Sequence, residues 1–432
     1  MNKNLHKVLF AAGLLMLLVL SGCRSKNFIT VEKQSFVKEG RPYHYIGANY
    51  WYGALLGMKD GDRERLKKEL DELQAHGVSN LRIMAAAEGG AQDYTVRTTL
   101  QPTQGQFNEE FLIGLDYLLV EMQKRNMDAV LYLTNNWEWS GGLAQYLEWN
   151  GYGPLPNPNI APNTWPEFMA YTANFHSCTP CKKALLTQIR HVVKRTNTLS
   201  GKKYINDPTI MAWQIANEPR IWNPENEKNF TEWIAEVVSE IKSLDPNHLV
   251  STGSEGMAGS NDDLQAYVRT HQNPQIDYLT MHIWPKNWGW YSAENEEKTI
   301  KNAIDNTLRY ITQHTEIAQN LAKPIVLEEF GFPREKEQID PAASIELRNR
   351  YYNAVFSALK ASVAASKPFA ALNFWGYGGM GQNSHPTGKW EVGSDYTADP
   401  PQEPQGLNSV FSTDKSTLEL IKNTNKSLGN LP

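Results

Sequence analysis

Trp213-Gln214-Ile215-Ala216-Asn217-Glu218-Pro219-Arg220 reads as the end of a short buried strand. Apolar residues from Ile210 carry the chain in, and an amide and a carboxylate meet it at the C-terminal tip. Pro219 then forces a loop, because proline has no N–H with which to continue a ladder. A carboxylate held at such a tip points to chemistry. The plainer reading is a buried hydrogen-bond hub, and a second carboxylate at an equivalent place would separate the two.

Working outward, the same apolar run with a polar tip recurs seven more times. Upstream lie Asp128–Thr134, running into Asn135-Asn136-Trp137-Glu138-Trp139, then Asn80–Met84, which carries Arg82, and Tyr43–Asn49, which leads to Tyr50-Trp51. Downstream lie His248–Thr252 before Gly253-Ser254-Glu255, Tyr278–His282 before Ile283-Trp284, Pro324–Glu329, and Phe369–Phe374 before Trp375. Helical spacing separates them: Asp62–His76, with Leu66, Leu70 and Leu73 on one face, then Asn108–Arg125, Trp165–Thr196, Asn229–Leu244, Lys298–Leu321 and Pro341–Ala365. Leu418–Thr424 ends the chain as a last helical turn or two.

Eight such strands alternating with helices predict an α/β fold, a (β/α)8 TIM barrel, over a single domain at 41–432. A doubly wound open sheet is the alternative, but neither G-x-G-x-x-G nor a P-loop is present. In a barrel all strand tips converge on one mouth, which is where these polar residues fall. The Gly- and Pro-rich run from Gly376 to Phe411 is a long loop after strand eight. A loop of that length is usually functional, the alternative being a surface insertion.

Composition excludes some partners. The formal charge of the 432 residues is −5 and no basic stripe appears, so nucleic acid is not expected as a ligand. Thirteen tryptophans are many. Trp51, Trp137, Trp139, Trp288, Trp290 and Trp390 are either core filling or flat platforms for a ligand with apolar faces, such as a sugar ring.

The first residues have the form of an export signal. Lys3 and Lys7 precede an apolar Val8–Leu20, too short for a membrane span. Leu20-Ser21-Gly22-Cys23 resembles a bacterial lipobox. That resemblance implies a signal peptide over 1–22, lipid on the Cys23 thiol, a tether and chain entry over 23–40, and a membrane-anchored place in the cell envelope, on the periplasmic or surface face of the outer membrane. An ordinary signal peptide with a chance cysteine is the alternative. Cys178 and Cys181 form either a local disulfide or two unpaired thiols. The spacing of His, Asp and Glu shows no metal-ligand cluster, and no cofactor is expected.

The second carboxylate is in Val326-Leu327-Glu328-Glu329-Phe330-Gly331, three strands round the barrel from Glu218. Two carboxyls facing each other across a mouth suit glycoside hydrolysis, one as acid and one as nucleophile. Successive strand residues point opposite ways, so only one of Glu328 and Glu329 faces the mouth, and periodicity does not say which.

Asn217-Glu218-Pro219 with Glu329-Phe330-Gly331, Arg82, His282 and Trp375 resembles the signature of glycoside hydrolase family 5 over the whole mature chain. Gly47-Ala48-Asn49-Tyr50-Trp51, Asn135-Asn136-Trp137 and Arg220 resemble its β-mannanase and β-mannosidase branch. The resemblance implies Glu218 as acid/base and, from the E-F-G spacing, Glu329 as nucleophile. It implies Asn217 on the sugar 2-hydroxyl, Arg82 holding Glu329 ionised, His282 orienting the acid/base, and Trp375 as the platform under the reacting sugar. Arg220 falls on the leaving-group side. Trp51, Asn136 and Trp137 are expected to bind substrate, and Glu255 to touch substrate or support His282. Trp284 departs from the family pattern, which has tyrosine there; an indole N–H donates but cannot accept.

The implied activity is retaining hydrolysis of β-1,4-mannosidic bonds in mannan and manno-oligosaccharides by a monomer. Mannose comes from the resemblance alone. The run with Asp399-Pro400-Pro401-Gln402 resembles exo-acting β-mannosidases, so release of mannose from chain ends is expected. An endo-β-mannanase is the close alternative; a cellulase and a non-catalytic mannan-binding lipoprotein are further ones.

Overall fold

The computed structural model describes residues 28–90, 92–383 and 385–431. The expected signal peptide over 1–22 and the expected lipidation site at Cys23 lie outside them. Eight strands form the central sheet: β1 (Tyr45–Asn49), β2 (Asn80–Met84), β3 (Asp128–Tyr132), β4 (Ile210–Gln214), β5 (Leu249–Ser251), β6 (Leu279–Ile283), β7 (Ile325–Phe330) and β8 (Phe369–Phe374). Their order is β5-β4-β3-β2-β1-β8-β7-β6, and every pairing is parallel. The remaining seam, β5 to β6, is stitched by Asp277 N–H to Val250 O (2.9 Å) and His282 N–H to Glu255 O (3.1 Å). The sheet is thereby rounded into a barrel.

All eight strands are buried along their whole length. That is why their sequences are runs rather than alternations: one face meets the barrel interior and the other the helices. Eight helices follow the strands: α1 (Arg63–Ala75), α2 (Glu109–Lys124), α3 (Thr179–Val193), α4 (Glu227–Leu244), α5 (Leu264–His271), α6 (Glu296–Asn320), α7 (Glu346–Ala364) and α8 (Lys415–Leu428). Asp62 caps α1 by accepting from Arg65 N–H (2.9 Å), and Asn108 caps α2 by accepting from Glu110 N–H (3.1 Å). Asn425 of α8 accepts the Ile46 N–H (2.8 Å), which ties the end of the chain to the first strand.

Four sequence expectations are corrected. Thr30–Glu32, Ser35–Lys38 and Arg41–Pro42 form a three-stranded antiparallel meander, where a tether and chain entry had been expected. Its Ile29 and Phe36 pack with Tyr45, Val130, Met211, Tyr278 and Val326, closing the barrel at the strand N-termini. The expected helix Trp165–Thr196 is two, Trp165–Thr172 and α3, with a tight turn at Ala173–Ser177. Pro180 is the reason, since it is tolerated only in a first helical turn. Cys178 and Cys181, at that start, are joined as a disulfide. Helix α7 begins at Glu346 rather than Pro341, because Asp340 holds 340–343 in a turn by accepting from the Ala342 and Ala343 N–H groups. The last helix runs fourteen residues rather than two turns.

Among the described residues, no helix is long and apolar enough to cross a membrane.

Candidate active site

The tip of β4 is built by its neighbours. Asn217 N–H donates to Thr134 O (2.9 Å) on one side, and Glu218 N–H to Gly253 O (3.0 Å) on the other. Glu218 itself sits at φ +51°, a region a non-glycine residue enters only under constraint. Gly253 (φ +77°) makes this possible, because a Cβ there would lie 1.9 Å from Ala216 O. Strained backbone held from both sides is characteristic of functional positions.

Above this tip the mouth holds a cavity of about 830 Å³ lined by Glu218 and Glu329 together with Asn217, Trp137, Trp284 and Trp375. One ligand atom from each of Glu218, His282 and Glu329 falls within 4.8 Å of the others. His282 Nδ1 is the link, 2.8 Å from Glu218 Oε1 and 3.5 Å from Glu329 Oε2. No such cluster was visible in the linear spacing. Burial opposes a charge on His282, but Glu329 and Glu218 overcome it and lift its pKa to about 9.

Arg82 lies wholly buried beneath the pair. Its Nη1 donates to Glu329 Oε1 and, at 3.2 Å, to Asn49 Oδ1; Nη2 donates to Asn217 Oδ1 (2.8 Å), and Nε to Gln214 Oε1 (2.7 Å). It does not line the cavity, so its work is on Glu329 and Asn217 rather than on substrate. Asn217 spends one amide hydrogen on Asn135 Oδ1 (3.0 Å) and keeps the other for the cavity.

Two carboxylates in one buried pocket cannot both ionise freely. Burial and the charge of Glu218 push the Glu329 carboxyl up to about 7, against the pull of His282 and Arg82. Burial acts on Glu218 as well, but His282 and Arg220 hold it down at about 2. The last proton of the pair is therefore bound near neutrality and belongs to the two together, with His282 between them. A pH prediction follows for stability. The folded pKa of His282 exceeds its ordinary 6.5, so its contribution is complete below about pH 6.5 and is lost as pH rises through about 9. The thermal midpoint is expected to fall across that window, and His282→Gln to flatten the fall; equal slopes would show that His282 carries none of it.

Strict alternation fails at Glu328 and Glu329. The register of β7 against β6 shifts between Leu327 and Glu329. Both carboxylates consequently reach the buried arginine: Glu329 at the cavity, and Glu328 below it, 3.7 Å from Arg82 Nε and accepting from Gln214 Nε2 (2.5 Å) and Tyr278 OH (3.2 Å). Glu329 alone of the two lines the cavity.

Trp137 Nε1 donates to Glu218 Oε2 (2.5 Å), and the Arg220 guanidinium sits 4.8 Å over the Trp137 ring. Glu255 lines the cavity; its carboxylate holds Arg220 (2.5 and 2.7 Å), and its backbone carbonyl accepts from His282 N–H. Trp284 packs edge-on against Trp375 (5.7 Å), and both line the cavity, as do Trp139, Trp288 and Trp290.

Two expected substrate contacts lie elsewhere. Trp51 is 1% exposed, and its Nε1 donates to Ala398 O (2.8 Å), so it pins the loop after β8 rather than facing a ligand. The Asn136 side chain is fully buried and outside the cavity lining; its N–H braces Asn217 O (2.9 Å). Trp390 stacks on Tyr396 (5.2 Å) within the same loop.

The loop contributes lining residues, of which the sequence reading quoted Pro400 and Gln402 in a motif but not Glu403. Pro400, Gln402 and Glu403 reach the cavity. Asp399 braces them, accepting from the N–H groups of Gly406 (2.9 Å), Asn408 (2.9 Å) and Ser409 (3.2 Å). Burial and the charge of Asp399 push Glu403 up to about 8. Gln402 Oε1 and Glu403 Oε2 find no partner among the described residues. Asn159 and Trp165 also line the cavity, from the connection between β3 and α3. No periodicity marks such residues; Asp399-Pro400-Pro401 was the only local signal.

Comparison with known proteins agrees with this geometry. A family model described as glycoside hydrolase family 5 β-mannosidase-like matches residues 26–431. The solved family 5 mannosidase of Rhizomucor miehei is 35% identical, with a TM-score of 0.86 over 93% of this chain and 98% of that one. Mannan endo-1,4-β-mannosidase 7 of Arabidopsis thaliana is 28% identical over 354 residues, covering 79% of this chain and 77% of the plant protein. The endo-β-1,4-mannanase of Thermotoga petrophila, at 23% identity and a TM-score of 0.65, shares the fold. The chain belongs to glycoside hydrolase family 5, in its β-mannosidase-like group.

Proposed function

We propose that the chain hydrolyses β-1,4-mannosidic bonds with retention, by double displacement, and takes mannose from chain ends. The observation that carries retention is the close approach of the two carboxylates, whose nearest oxygens lie within 4.8 Å. A pair about 5–5.5 Å apart suits a nucleophile and an acid; inversion needs about 6.5–9.5 Å to admit a water. Glu329 attacks the anomeric carbon while Arg82 balances its charge. Glu218 protonates the leaving oxygen, then removes a proton from the water that releases the sugar. Glu218 must carry the pair's proton when substrate is bound, and His282, in reach of both carboxylates, passes it across. Asn217 offers its remaining N–H to the 2-hydroxyl, and Trp375 lies under the ring.

Exo action is supported by the loop after β8. Pro400, Gln402 and Glu403 line the same cavity as Trp137 and Arg220, where an endo enzyme needs an open groove. The unpartnered oxygens of Gln402 and Glu403 suit the hydroxyls of a terminal sugar. The likeness to a protein named mannosidase, at 35% identity, favours mannose. A product time course on reduced mannohexaose tests the reading. Early mannose with a slowly shortening chain is expected; a spread of mid-length products makes the enzyme an endo-mannanase. Turnover only of the matching gluco-oligosaccharide would overturn the mannose assignment.

We also propose lipid attachment at Cys23 and a place in the cell envelope, on the lipobox-like Leu20-Ser21-Gly22-Cys23. Cys23→Ala is expected to move the protein from the membrane fraction to the soluble one, and an unchanged distribution would remove the anchor.

A further inference from the structure

We propose that Arg348, on α7, is a positioning residue that fixes the loop after β8 against the strand carrying Glu329, and so sets where a bound chain must end. This deepens the proposed function and rests on Gln402 and Glu403 meeting the terminal sugar. Arg348 is wholly buried and lines no part of the cavity. Its Nε donates to Phe332 O (2.7 Å), just beyond the end of β7 at Phe330. Its Nη1 donates to Ser409 O (2.9 Å) and its Nη2 to Leu407 O (3.1 Å), on the return limb of the loop. One planar fork thus joins the exit of β7 to the segment that follows Glu403.

The return limb is gripped through both kinds of backbone group. Arg348 takes the carbonyls of Leu407 and Ser409, and the Asp399 carboxylate takes the N–H groups of Gly406, Asn408 and Ser409 and the Ser409 hydroxyl (2.6 Å). A segment whose acceptors meet a cation and whose donors meet an anion is held by charge-assisted bonds on each side. Asp399 directly precedes Pro400, and Gln405 Nε2 closes the tip by donating to Asp399 O (2.8 Å) and Pro400 O (2.9 Å). Gln402 and Glu403 are therefore tied to Arg348 through hydrogen bonds rather than through free chain.

The outgoing end of the loop is tied to the same strand exit. Trp375 N–H donates to Phe330 O (2.8 Å), and Val410 N–H to Gly376 O (2.9 Å) closes the neck. The return limb also lies against the strand exit itself, since a Cβ on Gly331 would come 3.4 Å from Asn408 Oδ1. Arg348 is fixed in turn. Its Nη1 lies 3.4 Å from Asp414, whose two oxygens accept from Arg334 Nη2 (2.8 Å each), and Phe332 stacks on Tyr351 of α7 at 4.8 Å. Buried ionic networks add little net stability over apolar packing. What this one supplies is a constant distance between the loop and the nucleophile.

The test uses Arg348→Lys, which keeps the charge but cannot span both segments. Amide hydrogen exchange at Gly406, Asn408 and Ser409 is expected to quicken about tenfold, because the limb they belong to is no longer held. KM for mannobiose is expected to rise about tenfold with kcat little changed, the scale of losing one or two hydrogen bonds to the terminal sugar. Mid-length products are expected to appear beside mannose from reduced mannohexaose. Asp399→Asn, which loosens the same limb from its other side, carries the KM and product readings should Arg348→Lys not fold. Unchanged exchange in Arg348→Lys overturns the proposal. So does a kcat lowered alike on mannobiose and an aryl β-mannoside with KM and products unmoved, the mark of a residue that only stabilises. Mid-length products from the wild type would count against exo action alone, since exchange and KM still read the hold on the loop.

Discussion

Glu329→Ala is expected to lower kcat/KM on manno-oligosaccharides by about 10⁵-fold, the scale of losing a nucleophile that works as part of a unit. Azide is expected to restore part of the turnover and to give the inverted glycosyl azide, since a small anion fits the space vacated by the carboxylate. The variant also removes one partner of a buried guanidinium. Breaking such a pair costs about 3–5 kcal/mol, and the lower end applies because Arg82 keeps Asn49, Asn217 and Gln214 as acceptors. Glu329→Gln, which preserves shape, separates lost chemistry from lost stability. Glu328→Gln decides between neighbours: it disturbs the bonds to Gln214 and Tyr278 but touches no cavity atom, so a loss of less than about 10²-fold is expected. A Glu329→Ala enzyme with full activity would sink the assignment, and azide rescue of a Glu328 variant would transfer it.

Arg82→Lys is expected to cost about 10³-fold in kcat, with little change in the binding of product mannose. The guanidinium serves four residues at once, Glu329, Asn49, Asn217 and Gln214, through a rigid planar fork. A lysine ammonium is a point charge and can satisfy only part of that set. Glu329 would lose its fixed direction, and Asn217 its orientation toward the cavity. Unpaired acceptors left under the site cost about 1–3 kcal/mol each, which a denaturant midpoint measures. A kcat within tenfold of wild type would show that the charge suffices and that the fork does not matter.

What the sequence made legible was the part governed by order along the chain. Glu218 and Glu329 could be read because each ends an apolar run, and Pro219 marks one of those ends. Where local rules break, the reading failed. Alternation says that only one of Glu328 and Glu329 turns inward, yet the register shift on β7 brings both to Arg82. Trp51 follows a strand tip just as Trp375 does, and no residue pattern tells that one meets the loop and the other the cavity. Glu403, Asn159 and Trp165 sit in connections, where position is set by long-range contacts such as Asp399 with Ser409 or Asn159 with Glu138. Some signals were present and unread. Thr164-x-x-Glu167 and Pro180 each announce a helix start inside what was read as one helix.

The meander at the strand N-termini has a further consequence for geography. Phe28 meets His248 at the start of β5, so the described chain begins at the end of the barrel opposite the carboxylates. Four residues lie between it and Cys23, five Cα steps with a reach of at most about 18 Å. Acyl chains on Cys23 would hold the barrel base-down on the bilayer with its opening turned outward. A long polysaccharide could then be trimmed from its free end without threading between enzyme and lipid, and the headgroups would take no part in choosing what enters.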